Sequence, residues 1–264
     1  MLNYGFFDYK YNIPDFGSDL FSVAHIVYIV LATVCVIALG VLLRNARRER
    51  VELFLKIFSF VLLFFEITKI TWESYYDITT GRGLNVEGLL PLYTCSLFIY
   101  TVFLSAWGGG KVKEYSLKFV ATISMLSGFI GVIYCNGLNF YPFFTFGAFY
   151  SLFFHTSMFA TGFILLATGY VRLSWRDIYR GWIPMVALSI VAVPVNYALK
   201  VDYMQIYEGS GVPLMSKLAP ALAEIGLRPL FTYIMLASYM LLSTVVVAIA
   251  KLVEHIAAKN KKTA

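Results

Sequence analysis

The sequence predicts an all-α membrane protein, a bundle of seven transmembrane helices that forms one domain over residues 1–264. Hydrophobic residues make up 59% of the chain, where a soluble domain has about 45–50%. Charged residues make up only 14%, against the usual figure of about 25%. This composition excludes a soluble enzyme, a disordered chain and a disulfide scaffold. The net charge of +6 does not indicate nucleic-acid binding, because the placing of charges matters more in a membrane protein.

Seven apolar stretches approach the roughly 20 residues that a helix needs to cross a bilayer. The first follows acidic residues and is too long for a cleaved signal peptide. The second carries Glu52, Lys56, Glu66 and Lys69 and has the weakest hydropathy pattern, and the third opens on Pro91, which suits a first helical turn. The predicted spans lie near residues 21–43, 51–71, 89–107, 117–135, 144–170, 182–199 and 229–250.

The segments between these spans are loops. The longest are residues 72–88 and 200–228. Gly209, Gly211, Pro213 and Pro220 make the second of them irregular, and a short interfacial helix fits residues 214–225.

The distribution of Lys and Arg predicts the orientation of the helices. With the N-terminus outside and the C-terminus in the cytoplasm, fifteen of the 21 basic residues fall on inner segments. This is the pattern that the positive-inside rule describes. We therefore expect a multi-pass protein of the cell membrane, with the bacterial plasma membrane as its location.

Polar side chains collect in the outer half of this predicted bundle. Because polar groups are costly inside a bilayer, such a cluster indicates a hydrated or ligand-binding cavity that opens outward. Structural roles remain open for some members: Glu66 and Lys69 as an ion pair, His25 as a hydrogen-bonding tie, and Asn196 as a link between helices. The candidate residues are Cys95 and His155, with His25, Glu66, Lys69, Tyr93, Ser151, Asn196 and Asp202 as supporting or substrate-binding residues.

Cys95 and His155 are the candidate catalytic pair. Cys95 is predicted near a helix N-terminus, which favours the thiolate, and a nearby His is the base that would activate it. Asn196 or Ser151 could stabilise an oxyanion. A Cys95–Cys135 disulfide is an alternative. Cys35, in the middle of the first predicted helix, is expected to be a small buried hydrophobic residue. We expect no metal at the His and Cys residues and no cofactor, since the motifs for nucleotides, dinucleotides and zinc proteases do not occur.

Several of these residues also resemble landmarks of the YwaF-like bacterial integral membrane family, which is related to the transmembrane protein 164 acyltransferases. The landmarks are Phe21-Ser22 with His25, Glu66 with Lys69 and Trp72, Leu90-Pro91-Leu92-Tyr93-Thr94-Cys95, His155, Asn196-Tyr197 and Asp202-Tyr203-Met204. The resemblance implies a helical bundle in which Cys95 takes an acyl chain from a phospholipid and His155 acts as base. At Tyr93 the family often has His, so the chain departs from the pattern there.

Three functions follow as hypotheses. The first is a Cys–His lipid acyltransferase or acyl-ester hydrolase, with membrane lipids as substrates. The second is a module that binds or transports a lipid-like ligand, in which Glu66, Lys69 and Asp202 contact a polar headgroup. The third is a subunit that stabilises a protein partner. Loss of function after Cys95→Ala would favour the first.

Overall fold

The structure is a computed structural model that describes residues 4–13, 17–212 and 214–263, and these residues form helices and loops without a β-strand. The all-helical prediction is therefore confirmed. The α-helices are α1 (Val23–Leu43), α2 (Arg48–Thr79), α3 (Val86–Leu89), α4 (Leu97–Trp107), α5 (Gly110–Phe119), α6 (Met125–Ile133), α7 (Phe146–Ala167), α8 (Asp177–Leu199), α9 (Met215–Glu224) and α10 (Arg228–Thr263).

Five helical segments of the described chain are long and apolar enough to cross a membrane. A π-helical turn, Val120–Ser124, joins α5 and α6 into one of these segments. The helices α2 and α4 are not among these five segments, because α2 carries many charged residues and α4 has only 11 residues. At 1.5 Å per residue, α4 is only about 16 Å long. The five segments are Val23–Leu43, Gly110–Asn139, Phe146–Ala167, Asp177–Leu199 and Arg228–Asn260.

The predicted start of the third helix is wrong. Leu90–Ser96 is not helical, and α4 begins at Leu97 rather than near residue 89. Leu90 is extended, with φ −85° and ψ 116°, because the ring of the following proline disfavours a helical conformation at the preceding residue. Hydropathy averaged over about 20 residues does not detect this local constraint, because it acts on a single residue.

Several other helices extend beyond their predicted limits. The predicted loop at residues 72–88 is largely helical, because α2 continues to Thr79 and is followed by α3. The rod that contains α5 and α6 begins at Gly110, and α10 runs past residue 250. The short helix expected at residues 214–225 is confirmed as α9.

The rod of α5 and α6 lies at the centre of the bundle. Its π-helical turn is fully buried and contacts α4, α7, α8 and α10. Two glycines allow this close approach: a Cβ at Gly162 would overlap Met125 and the Val120 carbonyl, and a Cβ at Gly181 would overlap Thr122. Small residues at such contacts are typical of helix packing in membranes.

A second, smaller core lies at the end of the bundle that carries the N-terminus. Tyr9 is buried there, stacked on Tyr76 with ring centroids 5.5 Å apart and edge-on to Trp72 at 5.1 Å. The Trp72 indole N–H donates to the Phe7 carbonyl at 2.7 Å. The N-terminal segment is thus held against α2 by aromatic packing and a hydrogen bond.

Candidate functional site

Cys95 lies in the turn that immediately precedes α4. The Leu97 amide donates to the Tyr93 carbonyl at 3.2 Å, and the Phe98 amide donates to the Cys95 carbonyl at 3.0 Å. Within the described residues, the amides of Cys95 and Ser96 donate to no backbone carbonyl, as expected at a helix start. Both amides interact with the Cys95 sulfur. The thiol, which is partly buried, therefore lies in the turn before α4, beside N–H groups that donate to no backbone carbonyl, rather than in the second turn of a helix.

Lys69 and Glu66 of α2 are the charged side chains that act most strongly on the Cys95 thiol. The Glu66–Lys69 ion pair, which the sequence left open as an alternative, does not form. Lys69 Nζ lies 3.3 Å from Glu73 Oε2 and donates to the Gly88 carbonyl at 3.2 Å. Glu66, which is buried, accepts a hydrogen bond from the Tyr150 hydroxyl of α7 and has no cation within 4 Å among the described side chains. This pairing leaves the buried Glu66 carboxylate without a cationic partner among the described side chains.

The loop after α8 covers the Cys95 turn. Thr94 Oγ1 donates to the Tyr239 hydroxyl at 3.1 Å, and that hydroxyl donates to the Met204 carbonyl at 2.9 Å. The Tyr93 ring packs edge-on against Tyr203 at 5.2 Å, and the Tyr93 hydroxyl donates to Glu87 at 2.8 Å. Tyr93 is thus a structural neighbour of the thiol that joins the turn to the loop.

Asn196 and Asp202 shape this covering loop. The Asn196 side chain donates to the Tyr203 carbonyl and accepts from the Tyr203 amide, both at 2.8 Å. The Asp202 carboxylate accepts the amides of Tyr207, Glu208 and Ser210 at 2.7–2.9 Å. Both predicted site residues therefore direct their polar atoms to the backbone of the loop.

His25 ties two helices together. Its Nδ1 accepts the Phe21 amide at 3.0 Å, so its Nε2 carries the proton and donates to the Val132 carbonyl at 2.9 Å. The side chain is fully buried. Both ring nitrogens are thus occupied. Among the described residues no group of three His, Cys, Asp or Glu side chains is placed to hold a metal.

His155 lies on the face of α7 that packs against α6. Its Nδ1–H donates to the Ser151 carbonyl at 2.8 Å, which leaves the lone pair on Nε2. No described residue hydrogen-bonds that nitrogen. The ring covers Gly131, where a Cβ would overlap it. This arrangement fixes both the tautomer and the orientation of the imidazole.

No hydrogen bond joins Cys95 to His155 in the described chain. Their helices meet through two aromatic rings instead: Phe98, three residues after the cysteine, packs edge-on against Phe154 at 5.8 Å. Catalytic hydrogen bonds often shorten only when substrate binds, and His155 Nε2 has a lone pair with which to form one. Cys135 donates to the Ser151 hydroxyl at 3.2 Å and, like Cys35 and Cys95, is a free thiol. The alternative of a Cys95–Cys135 disulfide is therefore wrong, and Cys35 is exposed on α1 rather than buried.

A comparison with protein families matches residues 20–250 to the TMEM164 family. The chain belongs to the TMEM164 family. The match includes every predicted site residue, and it confirms the relationship that the Leu90–Cys95 landmark and its companions indicated. No curated protein and no solved structure matches this TMEM164-family protein.

The most informative residue that sequence analysis missed in this TMEM164-family protein is Tyr150. It contacts Glu66 and acts electrostatically on Cys95. The chain has nineteen Tyr, and nothing in the spacing of Tyr150 separates it from the others. Only the packing of α7 against α2 reveals its position.

An apolar cavity of about 410 Å³ lies between α1 and α7. Aromatic rings dominate its lining, and the Tyr28 hydroxyl bonds Thr156 Oγ1 at 2.8 Å within it. None of the predicted site residues lines this cavity. It is separate from the polar neighbourhood of Cys95, and its dimensions suit a hydrocarbon chain.

Proposed function

We propose that this TMEM164-family protein is a membrane-embedded Cys–His lipid acyltransferase or acyl-ester hydrolase that works through a thioester on Cys95. The observation that carries the proposal is the position of Cys95. Its sulfur lies at a helix start beside the amides of Cys95 and Ser96, which donate to no backbone carbonyl. Such amides stabilise a thiolate and, in the next step, the oxyanion of a tetrahedral intermediate.

The acylation step needs a base for the thiol and a proton for the leaving group. His155 Nε2 takes the thiol proton, and the sulfur attacks the ester carbonyl of a phospholipid. The carbon–sulfur bond forms as the carbonyl π pair moves to oxygen. When the carbonyl re-forms, the carbon–oxygen ester bond breaks and the leaving alkoxide takes the proton from His155. The products are a Cys95 thioester and a lysolipid.

The proposed arrangement in the membrane uses seven spans with the N-terminus outside. The five apolar segments are joined by α2 and by α4 with the extended segment before it, and the basic loops then lie in the cytoplasm. Non-helical backbone at membrane depth is tolerated where protein covers it, as the loop after α8 covers the Cys95 turn. The site then opens toward the outer leaflet of the plasma membrane, membrane lipids are its substrates, and no cofactor takes part.

Intact-protein mass spectrometry after incubation with phospholipid vesicles tests the thioester. We expect a fatty-acyl adduct that hydroxylamine removes and that Cys95→Ala abolishes. Cys35→Ala is the matched control, since Cys35 is a free and exposed thiol on α1. His155→Ala should lower the rate of adduct formation by about 10²-fold or more, as loss of a general base does. An adduct that persists in Cys95→Ala would refute the assignment.

The apolar cavity between α1 and α7 favours a second candidate function, the binding or transport of a lipid without chemistry. In that case the purified protein would retain phospholipid, and Cys95→Ala would leave its activity in the cell intact. No adduct in the wild-type protein, together with full activity of Cys95→Ala, would refute the acyltransferase and support lipid binding or transport.

A further inference from the structure

The hydrogen bond between Tyr150 and Glu66 joins α7 to α2 next to the proposed nucleophile. The Tyr150 hydroxyl is the donor and the Glu66 carboxylate is the acceptor. Glu66 is only 6% exposed, and the nearest lysine along its helix, Lys69, pairs with Glu73 instead. A buried carboxylate without an ion-pair partner is rare in a membrane protein and marks a functional site by default.

A ring contact between α7 and α4 links this pair to the segment that carries Cys95. The Tyr150 ring stacks on Phe154 at 5.6 Å, and Phe154 packs against Phe98, one turn after the cysteine. Both Tyr150 and Glu66 interact electrostatically with the Cys95 side chain. His155 lies on a different face of α7, toward α6.

The direction of the Tyr150 hydrogen bond decides what its hydroxyl can do. Because its proton points at Glu66, the phenol oxygen keeps a lone pair that is able to accept a proton. The carboxylate orients the phenol much as an aspartate orients the histidine of a catalytic triad. The pair is therefore built to accept a proton and pass it on.

The two halves of a thioester reaction differ in their need for a base. A thiol has a pKa of about 8.5 in water, and in the proposed acylation step His155 takes its proton. A hydroxyl is far less acidic, with about 15.7 for water, so its attack on a thioester depends on a base in contact with it. The second half-reaction is the one that requires an additional proton acceptor.

We propose that Tyr150, oriented by Glu66, accepts the proton of the hydroxyl that attacks the Cys95 thioester. This inference rests on the proposed function and extends it to the transfer step. The hydroxyl belongs to a lysolipid or to water. Tyr150 is then a catalytic residue, and Glu66 is a positioning residue that acts through it.

The protons and bonds of this step balance. As the acceptor oxygen bonds the thioester carbon, its proton passes to the Tyr150 oxygen, and the Tyr150 proton passes to Glu66. The carbon–sulfur bond then breaks, and the bonding pair remains on sulfur. The proton held by Glu66 returns through Tyr150 to the Cys95 sulfur. The site recovers its starting state, and the product is an ester or a free fatty acid.

Discharge of a preformed acyl-enzyme tests this assignment. The purified wild-type protein, Tyr150→Phe and Glu66→Gln are loaded at Cys95 with p-nitrophenyl oleate, an activated ester that needs little assistance to acylate a thiol. Oleoyl lysophosphatidylglycerol is then added, and the loss of the acyl adduct is followed by intact mass spectrometry. Both variants should load as wild type does and should discharge about 10²-fold more slowly. Glu66→Gln retains a hydrogen-bond acceptor for Tyr150 but cannot take its proton.

Two controls separate chemistry from structure. Hydroxylamine attacks a thioester without a base, so it should discharge all variants at the same rate. Tyr170→Phe removes a hydroxyl that donates to Glu52 at 3.1 Å, fourteen residues before Glu66 on α2, and it should discharge to the lysolipid as wild type does. Discharge of Tyr150→Phe at the wild-type rate, or equal slowing with hydroxylamine, would overturn the inference while leaving the thioester intact. If wild type cannot be loaded at Cys95, the proposed function itself fails.

Discussion

Replacement of Asn196 by Leu should destabilise the loop that covers Cys95, because the Asn196 amide matches the backbone of Tyr203 at two points. The donor and acceptor distances are both 2.8 Å, and Asn196 and Tyr203 are almost fully buried. Leucine has a similar volume, so the main loss is two hydrogen bonds, and water cannot easily replace them. Each orphaned buried group costs about 1–3 kcal/mol. The sum is about 4 kcal/mol.

Thermal unfolding of the detergent-solubilised protein measures this loss. At about 2–4 °C per kcal/mol for a chain of this size, Asn196→Leu should lower the unfolding midpoint by about 8–16 °C. Asn139→Ala is the control, since the amide of Asn139 bonds only other exposed groups, and its midpoint should move by less than about 2 °C. A midpoint of Asn196→Leu within 2 °C of wild type would show that these two hydrogen bonds do not hold the loop. Asn196 would then again be a candidate oxyanion donor.

Three further predictions concern the same architecture. His25→Ala removes both ties of the imidazole, to the Phe21 amide and the Val132 carbonyl, and should cost about 2–4 kcal/mol in thermal or denaturant unfolding, whereas an unchanged midpoint would contradict a structural role. Gly131→Ala places a Cβ where the His155 ring lies and should slow Cys95 acylation by at least about 10-fold, since misplacement of a catalytic group by 1 Å is that costly. Gly109→Ala meets open space and is the matched control; equal rates for the two variants would remove His155 from the mechanism. Trp72→Phe loses the hydrogen bond to the Phe7 carbonyl and should weaken the attachment of the N-terminal segment to α2 by about 1 kcal/mol. Proteolysis should then cleave that segment faster, while the rest of the chain stays resistant.

Long apolar stretches could be located from the sequence because hydropathy is summed over about 20 residues. The helices α1 and α7 begin and end within three residues of their predicted limits. The start of α4 could not be located in this way, since one proline acts on the single residue before it. The end of α2 was missed for a different reason: Glu73 and Asp77 read as loop residues, although both are held against protein in the structure.

The neighbourhood of Cys95 could be predicted in part. Depth along each helix predicts that Glu66 and Lys69 lie toward the same end of the bundle as the cysteine. The partners of these groups could not be derived, because they depend on how each helix is rotated about its own axis. Lys69 turned out to pair with Glu73, and Glu66 with Tyr150.

The sequence by itself determined that this chain is an α-helical membrane protein, that it belongs with relatives of the TMEM164 family, and that polar groups gather toward one end of its bundle. These properties follow from composition, periodicity and local motifs, which are additive along the chain. Only the tertiary structure decided which polar atoms are already occupied, as in His25 and Asn196, and which remain available, as in His155 Nε2. Hydrogen bonds are directional and short in range, so side-chain roles are settled only when helices pack at a defined rotation and distance.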